Sequence, residues 1–196
     1  NTLSVRDYVE LNCAVDHLCG TLVGYLARFP LPARMLDIGC GFGFSSDIAK
    51  RMLGINAVGI EPSPYGKLGS IALNIPIYGD YLTPSHPIAK TQYDIVTAFQ
   101  VLEHSASPDT DLSFWRTLCG ATGMLLLTVP SAESVTSNRL GHSELLAILS
   151  PGAHTILFSR VGLRSALVNA GFKHIHIEIS GSNLLARASC VEIPSS

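Results

Sequence analysis

Leu36-Asp37-Ile38-Gly39-Cys40-Gly41-Phe42-Gly43-Phe44-Ser45-Ser46 is the stretch on which the reading of the whole chain turns. An apolar run (Ala33, Met35, Leu36, Ile38) ends in three glycines at alternate positions, and a helical pattern begins at Ser45. That is the form of a strand entering a glycine-rich turn and then a helix N-terminus. Such a turn lets a ligand approach bare backbone, because side chains there would block it. The spacing is G-x-G-x-G with an acid, Asp37, two residues ahead. The dinucleotide fingerprint is G-x-G-x-x-G and does not need that acid. An acid beside a glycine turn suits a ligand carrying a cationic amino group better than a pyrophosphate.

Outward from this stretch, strands and helices alternate. Upstream, Ser4-Val5-Arg6-Asp7 reads as a helix start with Ser4 as cap. Tyr8, Leu11, Val15, Leu18, Leu22 and Leu26 follow at three- and four-residue steps, an apolar stripe that packs on something. Phe29-Pro30-Leu31-Pro32 ends that helix. Downstream, a helix over 45–53 stops at Gly54, and a strand over Ala57-Val58-Gly59-Ile60-Glu61 follows. A helix over 65–73, a brief strand over 76–78, a strand over 93–99 and a helix over 111–118 come next. Residues 124–129 are a continuous apolar strand, as in the buried middle of a parallel sheet. A helix over 159–170 closes at Gly171, and strands over 174–179 and 184–193 form a hairpin through Gly181-Ser182-Asn183. Repeated β-α units predict an α/β fold with a mostly parallel sheet, helices on both faces and an antiparallel strand from the closing hairpin. The stretch 130–157 reads as one long irregular connection, of the length that usually serves as a lid.

Composition bounds the function. At 196 residues the chain fills one domain, and 47% hydrophobic against 14% charged residues fits heavily buried strands. A net charge of -2 without any run of Lys or Arg predicts no nucleic-acid partner. Five scattered cysteines (Cys13, Cys19, Cys40, Cys119, Cys190) without a C-x-x-C pair read as free thiols in a reducing cytosol, and a cytoplasmic protein is expected. No apolar run reaches the roughly 20 residues of a membrane helix, so no membrane partner is expected. The first residue is Asn rather than Met, which leaves open a trimmed product or a segment of something longer.

Three motifs in order carry a family resemblance. Leu36-Asp37-Ile38-Gly39-Cys40-Gly41-Phe42-Gly43 resembles the first motif of class I S-adenosylmethionine-dependent methyltransferases. Val58-Gly59-Ile60-Glu61-Pro62-Ser63 resembles the acidic end of that family's second strand. Tyr93-Asp94-Ile95-Val96 through Val101-Leu102-Glu103-His104 resembles its fourth strand with the V-L-E-H tail of many small-molecule members. The resemblance covers the chain from about Met35 onward. It implies a Rossmann-like, doubly wound, seven-stranded sheet, S-adenosyl-L-methionine as cofactor, and a small-molecule methyl acceptor.

Site residues follow from strand ends, where open α/β sheets present their ligand crevice. Gly39, Gly41 and Gly43 would let the methionine part of the cofactor lie against backbone, with Asp37 near its ammonium. Glu61, followed by Pro62, has the acceptor geometry for both ribose hydroxyls; a solvated acid at a strand end is the plainer reading. The resemblance places Asp80 on the adenine amino group and Gln100 against the methionine moiety; Tyr81 next to Asp80 reads either as a cover for the adenine or as core packing at a strand end. Gly79-Asp80 is also ordinary turn chemistry. Two histidines compete as general base, His104 after the fourth strand and His154 in a P-x-x-H-x-x-x-F-S stretch common before the last helix in this group. Against that role, His104 could cap a helix or bond a loop carbonyl, and His154 could pin the lid. His142 is a weaker third candidate. Glu103 reads as holding a loop. No carboxylate cluster suited to a metal is visible in the sequence, and no metal is expected.

The expected organisation is a single domain over 1–196, with an N-terminal helical cap (1–32), a cofactor-binding half (33–130), a substrate lid loop (131–157) and a C-terminal helix and hairpin (158–196). Two other functions stand beside methyl transfer: a nicotinamide oxidoreductase, disfavoured by Phe44 where the fingerprint needs a different spacing, and a non-catalytic S-adenosylmethionine-binding module or subunit of a larger assembly. Acceptor identity and atom stay open, as does oligomeric state, a homodimer included.

Overall fold

A computed structural model describes residues 15–27, 29–136 and 141–192. The helix start at Ser4–Asp7, the stripe residues Tyr8 and Leu11, and Cys13 lie outside the described residues. The chain gathers into two compact units, one up to Thr83 and one from Pro84 onward.

In the first unit the apolar strands pair in parallel because each is followed by a helix that returns the chain to the same end. Helix α1 (Val15–Leu26) precedes strand β1 (Arg34–Ile38), helix α2 (Phe44–Leu53), strand β2 (Asn56–Ile60), helix α3 (Pro64–Leu73) and strand β3 (Ile77–Tyr78). Leu36 pairs with Val58 across β1 and β2, and Ile60 with Tyr78 across β2 and β3. Leu22 and Leu26 are buried where α1 packs on α2, the surface the apolar stripe called for. Helix α2 stops at Gly54, whose φ of 70° lets its N–H turn back onto the Ala49 carbonyl.

The second unit holds strand β4 (Tyr93–Phe99), helix α4 (Pro108–Leu118), strand β5 (Cys119–Pro130), short helices α5 (Ala132–Thr136) and α6 (His142–Leu149), helix α7 (Arg160–Asn169), and strands β6 (His174–Ser180) and β7 (Asn183–Ser189). β4 pairs parallel to β5; β7 runs antiparallel to both β5 and β6. Seven strands in the order β3-β2-β1-β4-β5-β7-β6 thus give the mostly parallel sheet with an antiparallel C-terminal strand that the alternation predicts. Met124 to Leu127 and Val129 are all fully buried, as expected for its middle.

Two expectations are corrected. Residues 130–157 are not one irregular connection. Glu144 Oε2 accepts the Gly141 N–H (2.9 Å) at the start of α6, and the apolar residues after it recur at helical spacing. Ser131 also bridges Phe158, so both ends of the segment are tied together. Strand β5 starts at Cys119 rather than 124, across a register shift between Tyr93 and Ile95. A Cβ on Gly123 would stand 2.6 Å from the Tyr93 carbonyl oxygen, so this close backbone approach needs glycine. Among the described residues no helix is long and apolar enough to cross a membrane.

Candidate active site

Strand β1 ends in a loop whose three glycines all lie in the left-handed region, Gly39 at φ 63°, Gly41 at 55° and Gly43 at 90°. The alternate spacing of glycines is thus a backbone requirement, since β-carbons disfavour such angles. The loop is fastened on three sides. Gly39 and Cys40 donate their N–H groups to the Ile60 carbonyl, and Gly43 donates to Cys40. Glu61 accepts the Gly41 N–H at Oε2 (3.0 Å) and the Ser63 N–H at Oε1 (2.8 Å). Each carboxylate oxygen keeps a further lone pair. Helix α3 presses on the loop from behind: Cβ atoms on Gly66 and Gly69 would meet Glu61 and the Phe42 carbonyl. Asp37 is 1% exposed and accepts a hydrogen bond from Ser46 Oγ in the first turn of α2 (3.2 Å). Burial pushes the Cys40 thiol far up, and the Asp37 and Glu61 charges add to the shift, so it stays protonated between the two acids. Pro62, Asp80 and Tyr81 are exposed, Tyr81 to 77%.

The second unit carries the histidines. Gln100, just past the end of β4, adopts φ 57° although it is not glycine, a backbone cost of about 1–3 kcal/mol. Its Nε2 donates to Thr128 Oγ1 (3.2 Å) and Asn183 Oδ1 (3.4 Å). A single turn of 3-10 helix then spans Leu102–His104. His104 Nδ1 lies 3.0 Å from the Ala153 carbonyl oxygen, and His154 Nδ1 lies 2.7 Å from that of Ile148. A carbonyl only accepts, so each Nδ1 carries a proton toward it. The two rings meet edge to face with centroids 4.9 Å apart. Thr155 ties both segments together: its N–H donates to the Glu103 carbonyl (2.8 Å), and its hydroxyl lies 3.0 Å from that oxygen and 2.6 Å from the Ser105 carbonyl. A cavity of about 380 Å³ opens beside His154, with Gln100, Ile148 and Asn183 in its wall. Both plain roles weighed for the histidines, bonding a loop carbonyl and pinning the segment above, are present together.

Glu103 is fully buried, and neither of its carboxylate oxygens has a hydrogen-bond partner. Burial pushes its carboxyl up to about 7. One ligand atom each from Glu103, His104 and His154 lies within 4.8 Å of the others. A carboxylate and two imidazoles can hold a divalent ion. The sequence shows no such set, because His154 is fifty residues from its partners.

A profile of the methyltransferase domain matches residues 13–177. The chain belongs to that family. The methyltransferase domain is 27% identical over 128 residues to the ubiquinone biosynthesis O-methyltransferase of Aeromonas salmonicida, covering 62% of this chain and 54% of that protein. It is 29% identical over 148 residues to the protein of the same description from Cereibacter sphaeroides, covering 70% and 57%. The chain thus spans about half the length of the curated relatives it matches. Among solved structures, a SAM-dependent methyltransferase from Thermotoga maritima superposes with a TM-score of 0.71 at 15% identity, covering 96% of both chains. An O-methyltransferase family protein from Burkholderia thailandensis gives 0.73 at 15%, covering 94% of this chain and 57% of that one. The CurJ carbon methyltransferase gives 0.70 at 15%, covering 96% and 59%. At such identities these structures establish the fold, the Rossmann-like sheet of S-adenosylmethionine-dependent methyltransferases.

In the methyltransferase domain, the structure brings Asp37, the three loop glycines and Glu61 together in the first unit, and Gln100, His104 and His154 together in the second. His142 is exposed at the start of α6. Four contributors escaped the sequence reading: Ser46, Gly66, Gly69 and Thr155. Only Gly66 and Gly69 left a signal, two glycines three apart inside a helix, where glycine is otherwise unfavourable.

Proposed function

We propose that the domain transfers the methyl group of S-adenosyl-L-methionine to a small-molecule acceptor and releases S-adenosylhomocysteine. The observation that carries this reading is the Glu61 carboxylate, held in place by amide donors from the glycine loop and from Ser63. An acid so locked, with lone pairs to spare, fits two vicinal ribose hydroxyls. Gly39, Gly41 and Gly43, all at positive φ, suit a methionine chain lying against backbone, and Asp37 at the end of β1 is an acid suited to its ammonium. Pro62, Asp80, Tyr81 and Gln100 keep the adenine-side and methionine-side roles that the family resemblance implies. His104 and His154, each anchored through Nδ1 to a backbone carbonyl, belong to the acceptor's side.

In the transfer, a lone pair on the acceptor forms the bond to the methyl carbon. The sulfonium C–S bond breaks with its electrons remaining on sulfur, and the acceptor's proton leaves to a base. The cofactor already carries the leaving group, so the protein contributes chiefly alignment and exclusion of water. The relatives described as O-methyltransferases support an oxygen acceptor. The half-length coverage of those relatives supports a second reading, a cofactor-binding module within a larger protein.

Calorimetric titration of the purified chain with S-adenosylmethionine, with NADH as control, tests the proposal. Micromolar binding of the former alone is expected, and Gly41→Leu abolishes it. Unchanged binding in Gly41→Leu would sink the assignment of the loop. Binding without turnover over a screen of phenols, amines and sugars would favour the second reading.

A further inference from the structure

We propose that Glu103, His104 and His154 bind one divalent transition-metal ion of the zinc, cobalt and manganese class. Three independent features of the site point the same way. First, the ligand atoms converge from two separate stretches, within 4.8 Å of one another. Ligand atoms around a tetrahedral ion at about 2.1 Å stand roughly 3.4 Å apart, so side-chain rotations of about an ångström close the set. Second, both imidazoles are prepared as ligands. Each Nδ1–H is held by a backbone carbonyl, Ala153 for His104 and Ile148 for His154, which reserves Nε2 as the ring nitrogen able to take a metal. Backbone carbonyls in this position are the usual outer-shell partners of metal-bound histidine. Third, Glu103 is a fully buried carboxylate with both oxygens unpartnered. Ionising such a buried carboxyl without a partner is costly, and a cation between it and the two rings removes that cost.

Thr155 fastens the segment carrying Glu103 and His104 to the turn that carries His154, so the set is positioned before any ion arrives. His104 is exposed, which provides an entry path and a solvent side on which a further ligand can bind. Three protein ligands with an open position are the pattern of catalytic rather than structural metal sites. There the ion would draw an acceptor hydroxyl in and lower its pKa, so that the proton passes to solvent before the oxygen attacks the methyl. That role rests on the methyltransferase reading; binding of the ion does not.

The test uses the full chain stripped with chelator and dialysed. Titration with Zn²⁺ followed by calorimetry, and with Co²⁺ followed by its visible spectrum, is expected to give one equivalent bound. The Co²⁺ spectrum should lack a thiolate charge-transfer band. Glu103→Gln and His154→Asn should each weaken Zn²⁺ binding by more than about 100-fold, beyond the usual effect of an outer-shell change. His176→Gln is the control, because His174 and His176 lie two apart on the exposed strand β6 and could capture an ion by themselves. Zn²⁺ affinity that follows His176 rather than His154, a thiolate band with Co²⁺, or no equivalent bound would each overturn the proposal. S-adenosylmethionine titration of the same variants, and their circular dichroism, separates loss of the ion site from misfolding. Retained cofactor binding without metal binding leaves the methyltransferase reading intact while removing this one.

Discussion

A Cβ on Gly69 would stand 1.8 Å from the Phe42 carbonyl oxygen, well inside any van der Waals contact. Backbone on both sides leaves nothing that can rotate away, so Gly69→Ala must push α3 off the glycine loop. The expected cost is at least about 2 kcal/mol, in the range of overpacked cores, read as a lowered denaturation midpoint together with weaker S-adenosylmethionine binding. An unchanged midpoint would show that the loop and α3 are not in register as described. Residues of this kind divide by legibility. Gly39, Gly41 and Gly43 announce themselves because left-handed backbone leaves a mark in the sequence. Ser46 on Asp37 and Thr155 on Glu103 leave none, since hydroxyls are common at helix starts and in turns.

At the scale of elements, the 3-10 turn over Leu102–His104 and the turn before Phe158 are joined through Thr155. Thr155→Val keeps the shape and the N–H bond to Glu103 but loses the hydroxyl, and should cost about 1 kcal/mol of stability. Its larger effect should fall on the acceptor side, where His104 and His154 lose their common anchor. Turnover should drop while S-adenosylmethionine affinity holds, and Thr155→Ser should restore most of it. Parallel loss of cofactor affinity and turnover would mean that Thr155 acts through general stability alone. The strands and principal helices were readable from periodicity, as was the stop of α2 at Gly54. The segment 130–157 was not. Its helices are short, α5 with five residues and α6 with eight, and helices of that length are held by packing rather than by propensity.

For the molecule as a whole, Cys119 reports on cooperative opening. It is 2% exposed, and burial pushes its thiol up to about 12 from an ordinary 9.0, with smaller influences from Arg116 and Cys190. At pH 8 a thiol reagent should therefore reach Cys119 only at the rate and free energy of global unfolding. Faster labelling, insensitive to stabilising additives, would show that the β5 end opens locally. The sign of the linkage follows. Between pH 9 and 12 an unfolded chain has ionised this thiol while the folded one keeps its proton, so Cys119's contribution to stability falls as pH rises through that window. The sequence alone determined the α/β class, the alternation that makes a mostly parallel sheet, the glycine loop and the acid of Glu61. Each of these is a local pattern imposed by backbone angles or by the burial of a strand. Tertiary structure decided what is non-local: that α3 presses its glycines onto the loop, and that Glu103, His104 and His154 share one small volume with a buried, unpartnered carboxylate among them. Contacts across fifty residues depend on how the chain folds back, and no spacing along the chain encodes them.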